Sequence, residues 1–433
     1  MECPLPLLFL PALHAGFSAR SPDPPLTVAN RDIIHRFDRW PREDVSMVAN
    51  PLDSIHEQAE AAFLPYGPEL RIVESFGEVE AEYAAIRKSV ALLDAPHRGV
   101  MILTGKDRLA FLNNLLTNEL KTLVPGQGAY AYLLNTKGRI TLDVNVLHAE
   151  DATLLEMDAR YVEGLSPQLE RFHFSEDVAF IDGSPQLARL SVIGPRSALL
   201  LDRLTDGGAS ALTQPLSSTK RQLRGITVTL FRLEQCGELQ FELIVPRDQV
   251  VAIWQHIQEA GGDHHHDAPA TTGADAPAPP PGETPVRAIG WSAFNTARIE
   301  SGTPLFGIDL SDHYLPMETN RWYPRAVAVS KGCYLGQEIV ARMHAHKTVA
   351  RLLVGLRVEG SRLPVAGTDI LVNGQQVGIL TSSCMSPMLG NVPVAMGYVK
   401  KAVAAVGTAV ELLAEGLPTT ATVSDVPFWT PTR

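Results

Sequence analysis

The octapeptide Lys331-Gly332-Cys333-Tyr334-Leu335-Gly336-Gln337-Glu338 sets a thiol between two glycines, just ahead of a run in which Ile339, Val340 and Met343 share a helical face. A cysteine preceding a helix N-terminus lies near the positive end of the helix dipole, and Lys331 adds a cation; both favour thiolate, the nucleophilic and metal-ligating form. The spacing suits a reactive or ligating cysteine and equally a small apolar side chain filling a tight turn. Cys236 and Cys384 read as packing residues, and Cys3 lies in an N-terminal arm. A Cys-His-carboxylate protease built from Cys333 with His344 or His346 lacks a nucleophile signature, and a zinc site from the same residues lacks a fourth ligand.

Two carboxylates offer a second chemistry. Asp143 in "ITLDVNV" and Glu242 in "LQFELIVP" interrupt otherwise apolar strand-like runs. Burying an acid there is costly without a partner, which points to binding. An anionic cofactor such as a folate needs a carboxylate for the N–H donors of its pterin, apolar walls, and cations for its glutamate tail.

Periodicity sets the elements that carry these residues. "EAEYAAIRKSVALLD" places Tyr83, Ile86, Val90 and Leu93 at helical spacing before the strand "RGVMILTG", and "KDRLAFLNNLLTNEL" reads as a second helix with Leu109, Leu112, Leu115, Leu116 and Leu120 on one stripe. The strand–turn–helix order recurs at "LARLSVIGPRSALLLDRLTDGG" and "LQFELIVPRDQVVAIWQHIQEAGG". Repeated strand pairs with helices to one side predict ferredoxin-like α+β units over residues 51–345. Beyond about His346, short β-type runs with an Asn373-Gly374 hairpin turn predict an all-β barrel over 346–433. Residues 1–50, with Met47 a candidate start, read as an appended flexible arm; the insertion 261–285, rich in Pro and Ala, reads as a mobile loop whose three histidines lack a fixed geometry for a metal.

At 433 residues the chain is long enough for two or three packed units. Its 48 acidic against 37 basic residues argue against a broad nucleic-acid surface and leave room for a local basic patch. No run approaches a membrane span, and four scattered cysteines favour a reducing compartment, the cytoplasm.

The segment "KGCYLGQEIVAR" resembles the K-G-C-Y-x-G-Q-E signature of the YgfZ family of folate-binding proteins, relatives of the glycine cleavage T-protein. From about Tyr66 onward "FLNNLLTNEL", "AYLLNTKGRITLDV", "GELQFELIVP" and "RIESGTPLFGIDL" are similar, in order, to the T-protein pattern. The resemblance implies three domains around a central cleft holding tetrahydrofolate. Asp143 matches the second acid of the T-protein's Asp-Asp, with Leu142 in place of the first, and Glu242 matches the acid that faces the pterin. Phe294 replaces a folate-contacting arginine, Arg298 keeps a later one, and Cys333 stands where the T-protein has an aspartate. "LPMETN", with Glu318 and Asn320, is similar to a stretch upstream of the YgfZ cysteine. In function the resemblance implies a folate-binding factor for synthesis or repair of iron-sulfur clusters. Cys333 would be its working thiol, supported by Lys331, Gly332, Tyr334, Gly336, Gln337 and Glu338, with iron-sulfur assembly proteins or client enzymes as partners. The alternatives are an aminomethyltransferase transferring one-carbon units to tetrahydrofolate and a folate-sensing scaffold with a structural cysteine.

Overall fold

The computed structural model describes residues 50–67, 70–262 and 283–431. The expected arm, apart from Asn50, and most of the 261–285 insertion lie outside these residues. No helix among them is long and apolar enough to cross a membrane.

Two sheets form the body. One is five-stranded and antiparallel, in the order Gly128–Leu134, Ile140–His148, Thr153–Asp158, Arg98–Thr104, Ala179–Asp182. The other has six strands, Ser218–Leu223, Ile226–Leu233, Gln240–Pro246, Leu187–Ile193, Val90–Asp94 and Val286–Ile289, the last pair parallel. Val100 and Leu147 of the first sheet pack with Phe231, Leu233 and Ile244 of the second in one buried cluster, which brings the sheets together beneath the site. The expected α+β body is therefore present, followed by a closed six-stranded barrel built from Arg351–Val358 to Leu417–Ser424. Its hairpin turn at Asn373 and Gly374 has φ of 50° and 71°, the left-handed pair that a two-residue turn of this kind demands.

The helix Trp291–Glu300 joins body to barrel and is buried almost all round. Fully buried Arg298 pairs with Asp309 at 2.5 Å and donates to Ser382 of the barrel at 2.8 Å, while Glu300 accepts from Arg87 of the body and from Ser386 of the barrel.

Two expected helices are shorter than their apolar stripes. Val79–Lys88 ends at Ser89, and the β-branched Val90 opens a strand that pairs on both sides, so Val90 and Leu93 serve the sheet. The run from Lys106 to Leu120 is helical only over Arg108–Asn113. Its continuation is diverted by tertiary partners: Asn113 Oδ1 accepts from the Leu120 amide, and the carbonyls of Asn113 and Leu116 accept from the Lys331 ammonium.

Candidate functional site

Between the two sheets lies a cavity of ≈390 Å³, within the range of small-molecule sites, walled by Asn118, Tyr130, Asp143, Trp322 and Arg325. It adjoins a smaller one of ≈20 Å³ lined by His97, Arg189, Ser191, Glu242 and Phe294; Arg98, Gln235 and Leu305 belong to both.

Strand alternation places Asp143 on the cleft. In the antiparallel pairing Tyr132 sits opposite Asp143 and Tyr130 opposite Asn145, so the Tyr130 hydroxyl reaches diagonally and donates to Asp143 Oδ2 at 2.7 Å. The other oxygen, Oδ1, is buried and has no hydrogen-bond partner among the described residues. Burial pushes the Asp143 pKa up to about 6, against the opposing pull of Arg98 and the Tyr130 hydrogen bond. A carboxylate with one oxygen pinned and one bare is an acceptor prepared for a ligand N–H.

Beneath it runs a buried charge ladder. Arg98 clamps Glu156 through two hydrogen bonds of 2.5 and 2.9 Å; Arg189 lies 2.6 Å from Glu156 and 2.5 Å from Glu242. Asn145 adds a bond to Glu156 at 2.6 Å, and Ser191 and Gln240 complete Glu242 at 2.7 and 2.6 Å. Burial alone would raise the Glu156 pKa, but Arg189 and Arg98 hold it at about 2. Burial and the neighbouring Arg98 lower His97 to about 3, so its imidazole is neutral.

The octapeptide lies on another face. Lys331 is buried, and its ammonium donates to the carbonyls of Asn113, Leu116 and Asn118 at 2.7, 2.6 and 2.7 Å. Tyr334 packs in the core beneath the first sheet. Gly336, at φ 77°, caps the helix Gln337–His346, and a Cβ there would stand 2.6 Å from the Asn135 carbonyl, so the loop is pressed onto the hairpin turn 135–138. Gln337 donates back to the Gly332 carbonyl at 3.3 Å. Between these anchors Gly332 and Cys333 are exposed, as is Glu338. Lys331, Tyr334 and Gly336 hold the loop; Cys333 is displayed by it. Lys331→Met should leave three carbonyls, two of them in buried contacts, without this donor and cost on the order of 3 kcal/mol, read as a lower unfolding midpoint in urea; a change below about 0.5 kcal/mol would contradict this anchoring role.

The site residues expected from sequence thus separate. Asp143 and Glu242 line the adjoining cavities, Arg298 lines neither and joins body to barrel, and the octapeptide lies outside both. Arg98, Tyr130, Glu156, Arg189 and Trp322 escaped sequence reasoning. For Arg98, Tyr130, Glu156 and Arg189 the available signal was a charged or aromatic residue on a strand, as with Glu156 in "LLEMD"; Trp322, in the short helix Pro316–Trp322, carried none.

Residues 52–275 match the GCVT N-terminal domain and residues 351–429 the glycine cleavage T-protein C-terminal barrel domain. An aminomethyltransferase of Streptomyces avermitilis is 30% identical over 83% of this chain and 91% of its own length. One from Caldanaerobacter subterraneus subsp. tengcongensis is 26% identical over 88% and 95%. The solved glycine cleavage system aminomethyltransferase T from Bartonella henselae superposes with a TM-score of 0.76 at 24% identity, covering 89% of this chain and 98% of that one, and so shares its fold. With the N-terminal domain matched over more than half of the chain and the barrel domain matched after it, the chain belongs to the glycine cleavage T-protein family.

Proposed function

We propose that the protein binds tetrahydrofolate in the cleft between its two sheets and serves folate-dependent one-carbon transfer of the aminomethyltransferase type. The observation that carries this reading is that Asp143, whose buried Oδ1 has no hydrogen-bond partner among the described residues, lines a cavity of ≈390 Å³. A pterin presents N–H donors to such an acceptor, Tyr130 and Trp322 offer flat apolar walls, and Arg325 at the rim offers a cation to a glutamate carboxylate. When bound, tetrahydrofolate supplies the nitrogen atoms that receive the one-carbon unit. Asp143, ionised above about pH 6, orients the ring and can hold a proton near it; the ladder beneath holds Glu242 in place through Arg189. Leu142 is buried in the core, so Asp143 fills this role without a second acid beside it. Membership of a family whose relatives are named aminomethyltransferase supports the same chemistry.

A second reading rests on Cys333. An exposed thiol on a loop anchored on both sides is suited to meeting a partner, which favours the accessory role in iron-sulfur cluster synthesis or repair implied by the YgfZ resemblance. Calorimetry with tetrahydrofolate tests the first reading: wild type and Cys333→Ser should bind alike, and absence of binding heat in both would overturn it. A methylamine-loaded carrier protein then separates the two. Ammonia and methylenetetrahydrofolate released at an enzymatic rate by both proteins assign the transferase. Bound folate without turnover, with iron-sulfur enzyme activity lost in Cys333→Ser cells, assigns the accessory role.

A further inference from the structure

We infer that the small cavity adjoining the cleft is a site for a single oxygen acceptor, held by Arg189 Nε and His97 Nδ1: a resident water when no ligand is bound, and the oxo group of a pterin when the cleft is filled. The water site stands on geometry alone, and the second occupant rests on the folate reading above. Both residues line this cavity of ≈20 Å³. Arg189 is 3% exposed and His97 6%, and neither Nε nor Nδ1 has a hydrogen-bond partner among the described residues. One water needs about 10–15 Å³ of such space, so the cavity takes one heavy atom and not a ring. A buried guanidinium N–H left bare is costly, which favours an occupant that accepts from it.

The surroundings fix both groups. Arg189 Nη2 donates to Glu242 Oε2 at 2.5 Å, Nη1 forms an ion pair with Glu156 Oε1 at 2.6 Å, and the guanidinium carbon lies 4.8 Å from the centre of the Phe231 ring. Clamped in this way, the guanidinium has Nε left to give. The His97 imidazole is packed by Tyr66, Trp291 and Phe294, at ring-centre distances of 5.5, 5.3 and 6.4 Å.

Polarity selects the occupant. An arginine N–H can only donate, so the atom it meets must carry a lone pair. The acids lining the cavity are already engaged. Glu242 accepts from Gln240 through Oε1 and from Arg189 and Ser191 through Oε2; Asp158 accepts from Arg160 through Oδ1 and from Tyr66 and Arg160 through Oδ2. Asp143, in the larger cavity, offers the opposite polarity, an acceptor without a donor. A neutral imidazole presents Nδ1–H in one tautomer and a lone pair in the other, so His97 can donate to an oxo group or accept from a water. Arg98, Gln235 and Leu305 line both cavities, so a ring in the larger one can reach the smaller with one projecting atom. A pterin carries N–H donors and an oxo acceptor, the two features that Asp143 and Arg189 would read. Glu242, the acid expected to face the pterin, thereby becomes a positioning residue for Arg189.

The test uses the full chain. A crystal structure without ligand should show one ordered oxygen about 3 Å from both Arg189 Nε and His97 Nδ1, and a dry cavity would overturn the inference. Calorimetry then compares tetrahydrofolate with the analogue whose pterin carries an amino group in place of the oxo group, which sets N–H against N–H at Arg189. The ratio of the two affinities should favour tetrahydrofolate about ten-fold or more strongly in the wild type than in Arg189→Lys, which keeps a cation for Glu156 and Glu242 but has no Nε–H. His97→Phe leaves the ladder intact and should shift the same ratio by a few-fold, so the comparison survives if the lysine variant does not fold. A ratio equal in wild type and variants would overturn the oxo assignment. Failure of both compounds to bind the wild type would overturn the folate reading and with it the second occupant, while the ordered oxygen would still uphold or overturn the site.

Discussion

Asp143→Asn should weaken tetrahydrofolate binding by about ten- to a hundredfold, the loss expected when a charge-assisted hydrogen bond of roughly 1.5–3 kcal/mol is removed. The amide keeps the shape of the carboxylate and still accepts from Tyr130, so the change isolates the bare oxygen, Oδ1. Wild-type affinity should rise as pH climbs through about 6, where Asp143 ionises, and then level; the variant should be flat over the same range. Stability should move the opposite way. A carboxyl whose folded pKa lies above its unfolded value costs the fold stability as pH rises from near 3.8 to about 6, because the unfolded chain releases its proton first. At pH 7 that cost is on the order of 2–3 kcal/mol, and the ligand-free Asn variant escapes it. Calorimetry between pH 5 and 8 with parallel urea unfolding tests both halves. A wild type whose affinity ignores pH, or a variant that binds as tightly, would remove Asp143 from the site.

The sequence made that residue legible because strand alternation has a period of two: an acid at an inward position of "ITLDVNV" declares itself. Glu242 was legible for the same reason, and the Asn373-Gly374 turn because only left-handed residues close such a hairpin. What pairs with these residues was not legible. Arg189 occupies an equally inward position in "LARLSVI", but its partners Glu156 and Glu242 come from two different sheets, and no local pattern reports that the sheets face each other. Lys331 shows the same limit. Two residues from Cys333 it reads as a cation tuning a thiol, whereas its ammonium is held by carbonyls more than two hundred positions earlier in the chain. Those contacts also end the leucine stripe's helix at Asn113, so one unseen tertiary contact explains both a helix that reads too long and a lysine that reads as chemical.

Glu156→Gln should strongly destabilise the body, costing about 3–5 kcal/mol, because it strips the shared carboxylate from the buried guanidinium of Arg189 at 2.6 Å and the partly buried one of Arg98 at 2.5 Å. Glutamine fills the same volume, so the loss is electrostatic rather than a cavity effect. The sign with pH is that of a depressed carboxyl: the stabilisation is complete above the ordinary glutamate value of 4.5 and disappears as pH falls towards about 2. Urea unfolding should therefore show a wide gap between the two proteins at pH 7 that narrows below pH 4.5. A gap under about 1 kcal/mol at pH 7 would mean that water, not Glu156, screens the two arginines. The substitution also links the ladder to the cleft. Glu156 is one of the charges that raise the Asp143 pKa, and Arg98 one that lowers it. With the carboxylate gone and Arg98 unopposed, Asp143 ionises at lower pH, and the midpoint of folate binding against pH should move below its wild-type position of about 6. An unmoved midpoint in a folded variant would separate the ladder's structural role from any influence on the acid above it.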